Sequence, residues 1–143
     1  MSDLIATTIR ELPLFKPLSE EWLNRLCENA TLRQFAVGEH IIDEGKMVDE
    51  LFVVAAGTVR VWTKGLGKDV ELKQLGPGNY VGEVSLLSGK TATATVEAAE
   101  TTSIVAIGRT AIISLVESED SVRKVLEGVT LARAKDTLGK VLQ

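Results

Sequence analysis

The spacing of apolar residues changes twice along the chain, and those changes divide it into three zones. In residues 4–29 the spacing is helical: Leu4, Ile5 and Ile9 share a face until Pro13 and Pro17 interrupt it. A second helix is predicted from Ser19, whose hydroxyl suits an N-cap, with Glu20 and Glu21 in the electropositive first turn. Trp22, Leu23, Leu26 and Cys27 line one side of it.

From about residue 31 to 108 the period falls to two. Gly38, Gly45, Gly57, Gly65, Gly67, Gly76, Gly78, Gly82 and Gly89 cut this zone into short β-type runs. The runs include Ile41-Ile42, Leu51–Ala56, Thr58–Thr63, Val70–Leu75, Ala92–Ala99 and Thr101–Ile107. Turns are expected at Gly65-Leu66-Gly67 and Pro77-Gly78-Asn79. Helical spacing returns at Arg109. Ala111, Ile112, Leu115 and Val116 form one short amphipathic segment. A longer one follows Glu119-Asp120-Ser121, with Val122, Val125, Leu126, Val129, Leu138, Val141 and Leu142 as its apolar positions. Gly128 and Gly139 each weaken it by about 1 kcal/mol relative to Ala.

These patterns predict an α+β, mainly β fold: a jelly-roll-like antiparallel β-roll flanked by N-terminal and C-terminal helices. The whole of 1–143 reads as one domain. Residues 1–30 form its helical opening, 31–108 the roll with a short helix at 83–88, and 109–143 the closing helices. A length of 143 residues and a 45% hydrophobic fraction agree with one ordinary globular core.

Charge and composition narrow the function. A net charge of −4 and few aromatics argue against a nucleic-acid surface. The longest apolar runs are far short of the roughly 18 residues that span a bilayer, so no membrane insertion is expected. The N-terminus lacks the order of a signal peptide. The one cysteine, Cys27, excludes an internal disulfide and fits a reducing, cytoplasmic setting.

Catalytic and metal chemistry find little support. Gly89-Lys90-Thr91 imitates the end of a P-loop, but Val84 stands where its first glycine belongs. The only histidine, His40, opens a strand and cannot by itself hold a metal. Cys27 sits on an apolar helix face with no second histidine to activate it or a serine. Asp43-Glu44, Asp49-Glu50 and Glu119-Asp120 flank turns or open a helix, where solvation and capping account for them. The chain reads as a non-enzyme without metal or cofactor.

The most informative stretch runs from Gly78 to Val96. A turn leads to Gly82-Glu83, a single apolar helical turn, a loop, and then small residues at Ala92, Thr93 and Ala94. One reading is a small anion pocket: Gly82 admits a ligand close to the backbone, and the first helical N–H groups lack intrahelical partners. The other is a tight turn joining two strands of the roll. Both fit the residue types.

The same stretch resembles the phosphate-binding cassette of cyclic-nucleotide-binding domains, whose pattern is approximately F-G-E-L-A-L, a short loop, then P-R-A-A-T-V. The resemblance extends over nearly all the chain from about residue 11. Leu12-Pro13-Leu14-Phe15 with Leu18-Ser19 is similar to the family's opening segment. Gly38-Glu39, Ile41-Ile42, Gly45, Asp49, Leu51–Val54, Gly57-Thr58-Val59, Val61, Leu75–Gly78 and Val81-Gly82-Glu83 follow in register.

The resemblance implies that Glu83 accepts the ribose 2′-hydroxyl of cAMP or cGMP and that backbone N–H groups at Val84 and Ser85 face the cyclic phosphate. Thr91 stands where proline is usual. Ala92 replaces the arginine that pairs with the phosphate, and Thr93 is the neighbouring auxiliary contact. An arginine fork makes two charge-assisted hydrogen bonds, each contributing about 1.5–3 kcal/mol, so its loss predicts weak binding. Lys90, or Arg133 from the last helix, is a candidate substitute cation.

In the family the last helix closes over the base and often pairs with its copy. Thr130, Arg133 and Thr137 are the corresponding candidates for a base cap here. The simpler alternative is a helix that merely covers the roll with Val122, Leu126 and Val129. The sequence therefore predicts a regulatory sensor of a cyclic nucleotide or related small anion, with another protein or domain as its output. A homodimer through the last helix is compatible, although Asp136 and Gly139 interrupt a long apolar seam. The competing expectation is a ligand-free interaction or assembly module on the same fold.

Overall fold

The structure, a computed structural model, describes residues 2–141. The side chains of Asp136 and Thr137, and the whole of Leu142, lie outside the described residues. The chain opens with α1 (Ser2–Glu11) and α2 (Glu20–Glu28). Ser19 caps α2 as its sequence context requires, its Oγ accepting the Trp22 N–H at 3.2 Å. Ser19→Ala should lower the unfolding free energy by about 1 kcal/mol in denaturant titration, because that donor loses its cap. An unchanged midpoint would show that water replaces it.

Eight strands follow: β1 (Ala30–Phe35), β2 (His40–Ile42), β3 (Glu50–Ala56), β4 (Val59–Gly65), β5 (Lys68–Leu75), β6 (Tyr80–Val81), β7 (Thr95–Ala98) and β8 (Thr102–Gly108). The single-turn helix α3 (Glu83–Ser88) lies between β6 and β7, and α4 (Arg109–Ser118) and α5 (Asp120–Val141) close the chain. The strands form two antiparallel four-stranded sheets, ordered β1-β8-β3-β6 and β2-β7-β4-β5. This is the expected β-roll between helices.

The near-continuous apolar runs of β3 and β8 have a simple cause. Both strands are central in the first sheet and are buried on both faces. Leu51, Val53, Val105 and Ile107 pack outward against Ile9, Phe15, Leu26, Ile112, Leu115 and Leu126 of the helical layer. The alternating residues Phe52, Val54, Ile104 and Ala106 pack inward with Ile42, Val59, Val81, Ala92 and Val96.

Two strands fall outside the expected runs. In β1 only one face is covered and none of its residues is fully buried, so its polar positions hide the period. β6 is two residues long, too short to show a period at all. The expected strand from Ala92 begins instead at Thr95. Ala92 pairs with the segment after β2, donating to Lys46 O at 2.8 Å and accepting from Gly45 N at 2.9 Å.

The apolar positions of α5 also divide differently. Val122 and Leu126 are fully buried, whereas Val125 and Leu138 are exposed. The helix is anchored in the core over its first turns and then runs along the roll. A bulge in the β4–β5 ladder makes part of that contact possible. Val61 pairs with Lys73 and Trp62 with Glu71, so Leu72 is an extra residue. The Leu72 carbonyl accepts a hydrogen bond from Lys140 Nζ of α5.

Candidate ligand site

β6 delivers the chain to Gly82, which turns it into α3. Gly82 has φ +100°, and a Cβ there would lie 2.8 Å from the Glu50 carbonyl oxygen and 3.2 Å from Val48 Cγ1. Only glycine meets both demands without strain. The first helical bond of α3 is Leu86 N to Gly82 O at 3.1 Å, so the N–H groups of Glu83, Val84 and Ser85 lie ahead of it. The helix ends at Gly89, in the left-handed region, whose N–H meets Ser85 O at 2.9 Å.

Ser85 holds this loop through its side chain. Its Oγ accepts from Val48 N at 3.3 Å and donates to the Lys90 carbonyl. The hydroxyl therefore fixes the loop to the roll, a role separate from that expected of the Ser85 backbone.

An open recess lies between α3, the inner face of the second sheet and α5. The structure brings Gly82, Glu83, Val84, Ser85, Ala92 and Thr93 together around it, with Arg133 of α5 at its border. Ala92 is buried, whereas Thr93 sits at the exposed rim. Most of the remaining wall is apolar, including Ile42, Val48, Val81 and Val96.

Glu83 is the unusual member. It is only 1% exposed, yet it faces the recess rather than water. One carboxylate oxygen forms an ion pair with the Arg133 guanidinium, and the other has no hydrogen-bond partner among the described residues. Arg133 also lies 5.5 Å from the centroid of the Tyr80 ring. Burial raises the Tyr80 phenol above its ordinary pKa, and the Glu83 charge pushes it the same way against the opposing Arg133.

Arg133, the expected base cap, is paired with Glu83 in this conformation. An arginine that reaches a buried carboxylate gains more from that charge than from an apolar ring face, so it lies down onto Glu83. Thr130, one helical turn earlier, does not line the recess; its buried hydroxyl has no partner among the described residues. Lys90 is exposed on the loop.

Lys73 was not signalled by sequence, yet its half-buried side chain lines the recess. Only the register reveals it, because Lys73 stands opposite the inward-facing Val61 across the bulged ladder.

The other polar candidates have structural surroundings. His40 Nδ1 lies 2.6 Å from Asp43 Oδ1 on an exposed strand start. Cys27 is partly covered, and burial raises its thiol pKa. Glu44 accepts from Thr63 Oγ1 at 2.8 Å, and Glu50 makes a forked pair with Arg33 at 2.8 and 2.7 Å.

A sequence profile described as the cyclic nucleotide-binding domain matches residues 32–119. The chain belongs to this family. The domain is 34% identical over 91 residues to cGMP-dependent protein kinase, isozyme 1, of Drosophila melanogaster, which covers 62% of the chain and 12% of the kinase. It superposes on the Thermus thermophilus catabolite activator protein with a TM-score of 0.74 and 29% identity, covering 87% of this chain and 59% of that one. The regulatory subunit of a cAMP-independent protein kinase A from Trypanosoma brucei gives a TM-score of 0.81 at 20% identity, over 91% of this chain and 47% of that one. The latter likeness shows the fold alone. The domain thus spans about an eighth of the fly kinase and about half of each solved chain. Among the described residues, no helix is long and apolar enough to cross a membrane.

Proposed function

We propose that this domain is a non-catalytic sensor whose recess holds the ribose of a cyclic nucleotide, cAMP or cGMP, or of a related small ligand. The single observation that supports this most is the unpartnered oxygen of Glu83. A buried acceptor without a donor is costly, and a ribose hydroxyl supplies the missing hydrogen bond. Backbone N–H groups at Val84 and Ser85 would face the phosphate side, with Thr93 as an auxiliary contact at the rim. Ala92 leaves that side without its fork, so cyclic nucleotides bind weakly.

The output in this reading is α5. Its first turns are anchored by Val122 and Leu126. Beyond the exposed Gly128 it reaches the recess through Arg133 and the bulge through Lys140. A ligand hydroxyl at Glu83 alters what holds Arg133, so binding biases the position of the helix through differential affinity for its two placements. Another protein or domain would read that position. Thr130 and Arg133 remain the side chains of α5 available to cover a base once Arg133 leaves Glu83. The reading places the domain in the cytoplasm.

Titration calorimetry with cAMP and cGMP tests the reading. The wild type should bind weakly. Ala92→Arg should bind at least about a hundredfold more tightly, since two charge-assisted bonds add about 3 kcal/mol or more. No heat with either protein at millimolar ligand would leave the recess without this function and favour an assembly module.

A further inference from the structure

Resting on the reading of Glu83 as the contact for a ligand hydroxyl, we infer that Lys73 of β5 is the cation that holds the ligand's negative charge, in place of the arginine missing at Ala92. Alternation along β5 from Val70 and Leu72 would put Lys73 on the outer face of the second sheet. The bulge overrides it. With Leu72 as the extra residue, the register moves on by one and Lys73 pairs with the inward-facing Val61. Its row continues through Val96 to Ile42, and all four residues line the recess. A row that served only as core would be apolar throughout.

The charges at the recess leave this lysine unanswered. Two cations and one carboxylate line it, and Glu83 already holds Arg133. Lys73 has no hydrogen bond or ion pair among the described residues, although it is half-buried in a wall that includes Val61, Leu72 and Leu75. An ammonium in such a wall attracts an anion more strongly than one in open water, because the apolar surroundings screen the charge poorly. Lys90, the cation of the cassette loop, is exposed and does not line the recess.

One unanswered positive charge calls for one negative charge. The ligand class is therefore a monoanion that also carries a hydroxyl donor for the free Glu83 oxygen. A cyclic nucleotide meets both conditions. Lysine acts on its anion as a point charge, without the two-bond fork of an arginine, so the compensation for Ala92 is partial.

The test is titration calorimetry of the intact chain with cAMP and cGMP at low and high salt, on wild type, Lys73→Met, Lys73→Arg and Lys90→Met. For the cyclic nucleotide that wild type binds better, Lys73→Met should weaken binding at least about tenfold and flatten its salt dependence. Lys73→Arg should retain both, and Lys90→Met should match wild type. Without ligand, Lys73→Met should melt no lower than wild type, because it removes an unpaired charge from apolar surroundings. A lower melting temperature marks Lys73 as structural and overturns the inference. So does a Lys73→Met protein that binds like wild type at both salts, a result that leaves the sensor reading intact. A wild type silent at millimolar ligand while Ala92→Arg binds overturns the inference alone. Silence of both overturns both.

Discussion

Replacing Arg133 by alanine is expected to destabilise the domain by about 3–5 kcal/mol, the usual penalty for removing one partner of a buried ion pair. The size follows from the asymmetry of the pair. The Glu83 side chain is 1% exposed and that of Arg133 20%. Deleting the arginine leaves the better-buried charge behind with no partner for either oxygen among the described residues. Deleting the carboxylate charge by Glu83→Gln leaves a guanidinium that still reaches water and the Tyr80 ring. Thermal or urea unfolding of the two variants should therefore rank Arg133→Ala as clearly the more damaging. Equal losses would mean that Glu83 is hydrated in the folded domain, and the ribose contact would lose its physical basis. A ligand that occupies the free Glu83 oxygen should restore part of the loss, raising the melting temperature of Arg133→Ala in proportion to RT ln(1 + [L]/Kd).

Gly82→Ala should cost about 3 kcal/mol or more, from two sources that add. A non-glycine residue at φ +100° stores about 1–3 kcal/mol of backbone strain. Its Cβ would also stand 2.8 Å from Glu50 O, a backbone atom in β3 that cannot swing aside. Overpacking of that kind typically costs about 1–3 kcal/mol. Relief requires Gly82 to move away from β3, which displaces Glu83 and the start of α3. The variant should therefore lose ligand binding even where it remains folded at low temperature. Gly78→Ala is the informative control. Its φ is +89°, but no atom lies within 4 Å of a Cβ there, so it carries backbone strain without a collision. Similar losses at both positions, measured by urea unfolding, would show that the contact with Glu50 is unimportant.

Much of the architecture was legible in the sequence because it depends on local chemistry. Pro13, Pro17 and Ser19 set the break between α1 and α2. The period of two, broken by glycines, marked β3, β4, β5 and β8. The spacing of Ala111, Ile112, Leu115 and Val116 marked the buried face of α4. β1 and β6 escaped because a half-covered polar strand and a two-residue strand carry no periodic signal. The same blindness affected α5: its apolar residues looked like one face, but Val125 and Leu138 are exposed while Arg133 reaches inward.

The order of residues alone determined the β-roll and the glycine turn into a short helix at Glu83, since each is a matter of residue type at a fixed separation along the chain. Tertiary structure decided what that turn faces. The pairing of Glu83 with Arg133, the entry of Lys73 into the recess and the grip of Lys140 on the bulged carbonyl join residues 50, 12 and 68 positions apart. Burial makes the difference physical: a carboxylate in water needs no particular partner, but one enclosed between α3 and α5 must find a cation and a donor. Sequence separation carries no record of which ones the fold will bring.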